Sequence, residues 1–171
     1  FGSDKTVIML WQGLHIRYIR TILKSAVNEV VDEIKKLQQE NGVNLRNIIV
    51  DEDGVGGGVK DYLRCQGFTN NARALKGENY QNLKTQCYYK LADQINKGQI
   101  GVSCSDVNVK NYITEELEQV RTKDADKDNK LQIIQKDTVK AILGRSPDYA
   151  DALAMRMYYE IDSNFGRYFV Q

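Results

Sequence analysis

Proline, histidine and cysteine are all scarce in this sequence, and each shortage removes a class of function. One proline in 171 residues leaves no Pro-rich linker to mark a second domain. One histidine, His15, cannot build a His-rich zinc centre and argues against a Ser-His-Asp triad. His15 sits in an apolar, strand-like run, where it reads as a packed or partly exposed strand residue rather than a catalytic base. The three cysteines, Cys65, Cys87 and Cys104, are odd in number and widely spaced. They fit neither a disulfide framework nor a CxxC zinc site, and they suit a reducing cytosol. No apolar run approaches the ~20 residues that span a bilayer, and residues 1–6 lack the basic start of a signal peptide. A formal net charge of +1 gives no global attraction for nucleic acid, so any phosphate contact must come from a local patch.

What remains has the composition of one globular domain with one core. Residues 6–11 (TVIMLW) form an apolar run of strand length, as expected of a strand covered on both faces. Gly13 punctuates, and residues 14–23 read as a second strand in a hairpin with the first. Ser25 is placed to cap a helix carrying Val27, Val30, Val31, Ile34 and Leu37 at helical spacing, which Gly42 ends. Residues 47–50 then form a short buried strand leading into Asp51. Gly54, Gly56, Gly57 and Gly58 read as a turn, residues 60–65 as the start of a helix, and Gly67 as its stop. A long helix is expected over 80–96, a short strand or connector over 100–104, and an amphipathic helix through Val109, Ile113, Leu117 and Val120. A charged turn (122–130), a strand-like stretch (131–135) and a short helix (138–143) follow. Ser146 as N-cap and Pro147 at the first helical position open the last helix, with Ala150, Leu153, Ala154, Met157 and Ile161 as its apolar stripe. The pattern predicts a mixed α/β domain: a hairpin, then a parallel crossover through the 25–41 helix.

Two places could carry chemistry. Asp51 follows three apolar residues and precedes a glycine-rich turn. Functional groups of open α/β sheets gather at carboxyl ends of strands, and glycines there allow close approach of backbone or ligand. A carboxylate so placed suits a metal; equally, a turn aspartate can simply cap the next helix. Glu52 and Asp53 crowd the same spot, and adjacent carboxylates repel unless something cationic or solvent screens them. The second place is Ser146-Pro147-Asp148-Tyr149-Ala150-Asp151-Ala152. Asp148 and Asp151, three apart, share a helix face near its N-terminus, which the helix dipole already favours. The small residues around Asp151 would let that helix pack closely on a sheet and bring the carboxylate towards a strand end. Two decoys fail. The segment from Asp124 resembles a calcium loop, but its sixth position is Asn129 and its twelfth Gln135, so the turn glycine and the bidentate acid are missing. The glycine run is not a Walker A loop, because no Gly-Lys-Ser/Thr follows.

Four stretches together resemble the C-terminal nuclease domain of the large terminase subunit of tailed bacteriophages. They are Gly2-Ser3-Asp4-Lys5-Thr6-Val7-Ile8, Ile48-Ile49-Val50-Asp51-Glu52-Asp53-Gly54-Val55-Gly56, Asn79-Tyr80-Gln81-Asn82-Leu83-Lys84-Thr85-Gln86, and Arg145-Ser146-Pro147-Asp148-Tyr149-Ala150-Asp151-Ala152-Leu153. They span nearly the whole chain, and the last is the most specific. The resemblance implies a ribonuclease-H-like fold, a mixed central sheet flanked by helices. It implies an enzyme that cuts double-stranded DNA during genome packaging, with two Mg²⁺ or Mn²⁺ ions held by carboxylates. Asp51 then corresponds to the second-strand ligand and Asp151 to the helix ligand, with Asp148 assisting the second metal. The implied partners are DNA and, through the full-length protein, the portal ring and the small terminase subunit. The implied setting is the bacterial cytoplasm, for a phage- or prophage-encoded protein.

The family's first metal-binding aspartate ends a strand just before the stretch that Phe1-Gly2-Ser3-Asp4-Lys5-Thr6 matches. That strand and its aspartate are not in this sequence, and Asp4 lies downstream of the ligand position. The expectation is a fragment of a longer chain, with an ATPase domain upstream and weakened metal binding. Lys123, Lys127, Lys130, Lys136 and Arg145 are candidates for a phosphate-binding groove. Another ribonuclease-H-like nuclease, such as a junction resolvase, and a non-catalytic module docking on portal or DNA are the alternatives.

Overall fold

The computed structural model describes residues 5–23, 26–53, 55–124 and 129–162. The candidate cap Ser25, the turn residue Gly54, Asp4 with the start of the first motif, and Lys127 lie outside them.

The chain opens with β1 (Lys5–Gln12) and β2 (His15–Leu23), paired antiparallel from Lys5↔Leu23 to Gln12↔His15. Gly13, at φ 60°, makes the reversal, a conformation that costs glycine least. The alternation of β1 divides its side chains between two cores. Val7, Met9 and Trp11 pack on one cluster, and Ile8 packs on the other. The prediction of a strand covered on both faces is therefore met.

Helix α1 (Val27–Asn41) buries Val30, Val31, Ile34 and Leu37 and ends at Gly42 in the left-handed region. Strand β3 (Ile49–Asp51) follows, and α2 (Val55–Leu63) begins inside the glycine run expected to be a turn. Close packing accounts for this: a Cβ on Gly57 would sit 3.3 Å from the Glu52 carbonyl, and one on Gly58 would sit 3.4 Å from Val27. The helix ends before Arg64, whose φ is 52°. Gly67 is not a helix stop; it lies in β4 (Gln66–Phe68), parallel to β3. Three residues are too few to show a period, so that strand escaped the pattern.

Helix α3 (Leu83–Asn96) is capped by Asn82, whose side chain accepts from the Thr85 N–H. Strand β5 (Gly101–Val102) pairs parallel to β2, and α4 (Val107–Gln119) is capped by Asp106. Strands β6 (Thr122–Lys123) and β7 (Gln132–Ile133) form a small hairpin, followed by α5 (Lys136–Leu143). The last predicted helix is two: α6 (Asp148–Arg156) and α7 (Tyr158–Ile161), parted at Met157.

The fold is mixed α/β with helices on the sheets, but the described strands do not form one sheet. One sheet has the order β2 between β1 and β5, and β3 and β4 form another. The predicted crossover through α1 therefore links two sheets, whereas β3, α2 and β4 make the parallel unit. Both sheets face the same cores: Ile49 joins the first cluster, and Ile48 and Val50 join the second. Helix α6 packs on β1, β3, α3 and α4. Its Ala150 and Ala154 are buried, and their small size permits that close approach. Among the described residues no helix is long and apolar enough to cross a membrane.

Candidate active site

Asp51 is the last residue of β3, at the carboxyl end of a parallel pair. Its Oδ1 accepts from the Asp53 N–H at 3.0 Å and from the Asn70 side-chain amide at 3.0 Å. The same Asn70 amide donates to Asp53 Oδ2 at 2.7 Å. Asn70 stands just beyond the end of β4, the strand beside β3, so parallel pairing delivers it to Asp51. Burial raises the affinity of Asp51 for a proton, and the charges of Asp53 and Asp151 add to that; the two hydrogen bonds oppose it. Glu52 points away from this cluster, to Lys60 and to the Thr69 hydroxyl at 2.7 Å.

Asp151 lies in the first turn of α6. Its Oδ1 accepts from the Tyr88 hydroxyl at 2.6 Å and meets Lys84 Nζ at 2.7 Å; its Oδ2 meets Lys136 Nζ at 2.7 Å. Burial alone would raise its proton affinity, but the two ammonium groups outweigh burial and hold the carboxyl below its usual range. Tyr88 is buried and pushed well above the ordinary phenol range, also by Asp151, so it stays a donor. The Asp148 carboxylate accepts from the Lys5 backbone N–H at 3.1 Å. Lys136 feels Asp151, Asp148 and Asp51, and together they outweigh its own burial and raise its proton affinity. The three sequence candidates thus share one electrostatic neighbourhood, where β3 meets the start of α6.

Several residues of this neighbourhood were not foreseen: Asn70, Lys84 and Tyr88. Lys84 and Tyr88 lie one turn apart on α3, a spacing that any helix offers. Asn70 sits in a loop after a strand too short to detect. Lys136 and Arg145 were read as candidates for DNA phosphates, yet both are engaged within the protein, Lys136 by Asp151 and Arg145 by Glu115 and Glu116. His15 is a strand residue, as expected, and shares a hydrogen bond of 2.7 Å with the Ser103 hydroxyl.

The candidate ligands here are carboxylate oxygens, the chemistry that hard divalent cations prefer; the Asn70 amide presents its N–H to them and orients them. A half-buried aspartate with raised proton affinity beside other carboxylates also favours a cation. The count is less complete: among the described residues no three His, Cys, Asp or Glu side chains converge closely enough to hold a metal, and both oxygens of Asp151 face ammonium groups. The donor set fits one divalent cation in kind, while a full two-metal set is not assembled.

The nuclease domain of the large terminase subunit gp2 of bacterial virus Sf6 superimposes with a TM-score of 0.77 at 23% identity, over 91% of this chain and 83% of that one. This chain has the fold of a phage terminase nuclease domain. Its helices and mixed strands agree with the ribonuclease-H-like fold expected from the sequence. A variant of the Sf6 domain with manganese and β-thujaplicinol also matches at 0.77, with 22% identity over 91% and 83% of the two chains. The large terminase nuclease of thermophilic phage G20c with bound cobalt matches at 0.52, with 15% identity over 91% and 81%. Neither a protein-family model nor a curated protein matches the chain.

The Asn70 amide donates to both Asp51 and Asp53. Asn70→Ala is expected to cost about 1–2 kcal/mol of stability, because it strips a hydrogen bond from a half-buried carboxylate. Loss of an orienting partner should also cut any metal-dependent activity about 10- to 100-fold. Chemical denaturation and a cleavage assay check the two effects separately.

Proposed function

We propose that the chain is the nuclease domain of a phage DNA-packaging terminase, a divalent-metal-dependent endonuclease that cuts double-stranded DNA. What supports this reading is the placing of Asp51, at a strand end, in one electrostatic neighbourhood with Asp151 and Asp148, on a helix packed against that strand, within the fold described above. The metal-bound Sf6 and G20c domains support the choice of a divalent ion. Asp51 and Asp151 would hold Mg²⁺ or Mn²⁺ with Asp148 assisting, as part of the two-metal set that the resemblance implies. Such ions activate water and stabilise the leaving oxygen of a phosphodiester.

The protein's own residues have definable tasks. Asn70 and the Asp53 N–H orient the Asp51 carboxylate. Tyr88 orients Asp151 while remaining protonated. Lys84 and Lys136 neutralise Asp151. The portal ring and the small terminase subunit are the partners this reading assigns to the intact protein.

The test is incubation of supercoiled and linear plasmid DNA with the intact protein in Mn²⁺, Mg²⁺ or EDTA. Cleavage in either metal that EDTA abolishes, and that Asp51→Asn and Asp151→Asn each remove, is the expected result. Metal-independent cleavage, or cleavage that survives both substitutions, would overturn the reading. A marked preference for branched junctions over linear duplex would reassign the substrate.

A further inference from the structure

The helix that carries Asp148 and Asp151 has no cap of its own. Ser146 was expected to cap it and Pro147 to open it. Instead Pro147 occupies the cap position, with φ −83° and ψ 58°, and no side-chain cap bond is made there. A helix start leaves its first backbone N–H groups without partners, and burying them bare is costly. Here the partner comes from a distant element. Glu116, on α4, is fully buried, and its Oε2 accepts from the Ala150 N–H at 2.8 Å. The Tyr149 backbone N–H, one residue earlier, also favours the ionised Glu116 carboxylate. The other carboxylate oxygen is held by the Arg145 guanidinium, which also reaches Glu115 at 3.1 Å.

Arg145 is itself fixed from a further side. Its guanidinium lies 4.4 Å from the Tyr112 ring centre, and Tyr112 stacks on Tyr149 at 5.9 Å. The Tyr149 hydroxyl shares a hydrogen bond of 2.9 Å with Thr21 on β2. A buried carboxylate facing the positive end of a helix is favoured by the helix dipole, and the guanidinium completes its charge balance. A buried ion pair often adds little stability over apolar residues of equal size. Its presence here therefore asks for another explanation, and the geometry supplies one: the carboxylate grips the backbone one residue before Asp151 and two after Asp148.

We infer that Glu116, backed by Arg145, is a positioning residue that fixes the start of α6 and so aims Asp151 and Asp148 at the end of β3. The inference rests on the proposed role of those two aspartates. Glu116 touches no reacting atom. It acts through backbone N–H groups, so its loss shifts two carboxylates at once without removing either.

The test compares the intact protein with Glu116→Gln and with the double variant Glu116→Leu/Arg145→Met. Mn²⁺ affinity is measured by calorimetry, amide hydrogen exchange by NMR, and stability by thermal melting. Ile34→Ala, in the other core cluster, serves as a control of reduced stability. Glu116→Gln is expected to weaken Mn²⁺ binding about tenfold, in the range for residues that orient metal ligands, and to speed exchange of the Tyr149 and Ala150 amides. The double variant, with an apolar pair in place of the ion pair, should recover stability without recovering Mn²⁺ affinity. Ile34→Ala should bind Mn²⁺ as the parent does. Mn²⁺ affinity that returns with stability in the double variant would reduce Glu116 to a structural role and overturn the inference. So would parental affinity in Glu116→Gln. If Asp151→Asn itself binds Mn²⁺ as the parent does, the metal reading of Asp151 fails, and this inference fails with it.

Discussion

Asp51→Asn and Asp151→Asn are expected to abolish DNA cleavage alike and to move stability in opposite directions. Each removes a carboxylate charge from the proposed metal site. Charge stabilisation by a metal ion contributes several kcal/mol to a transition state, so each loss should lower the cleavage rate by about 10³-fold or more. In EDTA the two part company. Asp51 is half-buried beside Asp53 and within the field of Asp151, and its raised proton affinity means that its ionised form is disfavoured in the folded protein. An asparagine keeps the oxygen that accepts from Asn70 and from the Asp53 N–H, and discards the charge. A gain of about 1 kcal/mol follows, the size typical of relieving a functional site, or a few degrees in Tm for a domain of this length. Asp151 is the reverse case. Its charge is what pairs with Lys84 and Lys136, and asparagine leaves two ammonium groups facing a neutral amide. That should cost about 3 kcal/mol, near the lower end for breaking a buried pair.

The pH dependence follows from the same directions. The folded-state pKa of Asp151 is depressed, so its stabilising contribution is present above the unfolded value of about 3.9 and is lost as pH falls through the lower folded value. The folded pKa of Asp51 is raised, so its cost is present at neutral pH and is relieved as pH falls through that value. Asp51→Asn should therefore gain most at neutral pH, and the deficit of Asp151→Asn should shrink only as pH falls below the unfolded carboxylate value. Melting curves in EDTA from pH 3 to 8 check both. Equal destabilisation of both variants at pH 7 would show that the two aspartates do not differ in environment as described.

The parts legible in the sequence were those with a long period or a strong punctuating residue. The β1–β2 hairpin around Gly13, helix α1 with its stop at Gly42, and helices α3 and α4 all carry such signals. The place of Asp51 at a strand end was legible because an apolar triplet and a glycine run bracket it. The place of Asp151 near a helix start was legible because a serine-proline start and small residues surround it. What was not legible depends on contacts between distant segments. Asn70 reaches Asp51 only because β4, three residues long, pairs with β3. Lys84 and Tyr88 reach Asp151 only because α3 packs on α6. The cap of α6 was assigned to Ser146, its neighbour in sequence, but Glu116, some 30 residues earlier, provides the partner, a choice that no local rule can make. The glycine run was read as a turn because glycine is a poor helix former. Tertiary packing overrides that preference where α2 starts hard against Glu52 and Val27.

Lys84→Met together with Lys136→Met is expected to make the stability of the protein depend on divalent metal. Methionine keeps most of each apolar stem and removes the charge. Asp151 would then be a buried carboxylate with the Tyr88 hydroxyl as its remaining side-chain partner from this cluster. An uncompensated buried charge costs about 3–5 kcal/mol, of the order of 10 °C in Tm for a domain of this size. The two lysines should not contribute equally. The Lys84 side chain is 17% exposed and that of Lys136 is 39% exposed; solvent screens the second pair more, so Lys84→Met alone should cost more than Lys136→Met alone. The pH slope should also change sign. Without its ammonium partners the folded pKa of Asp151 is raised rather than lowered. The lost stability would then be greatest at neutral pH and would return as pH falls through the raised value. A divalent cation offers the carboxylate the charge that the lysines gave, and its two positive charges must no longer displace an ammonium. Binding to the folded state alone stabilises by about 2.7 kcal/mol at a metal concentration 100 times the dissociation constant. Mn²⁺ should therefore restore much of the lost Tm in the double variant, and raise that of the parent by less. Melting scans with EDTA and with graded Mn²⁺ decide the matter. A double variant as stable as the parent in EDTA would deny the lysines their role as counter-ions. One destabilised as expected but indifferent to Mn²⁺ would mean that Asp151 is built for ammonium alone, and would remove it from the metal site.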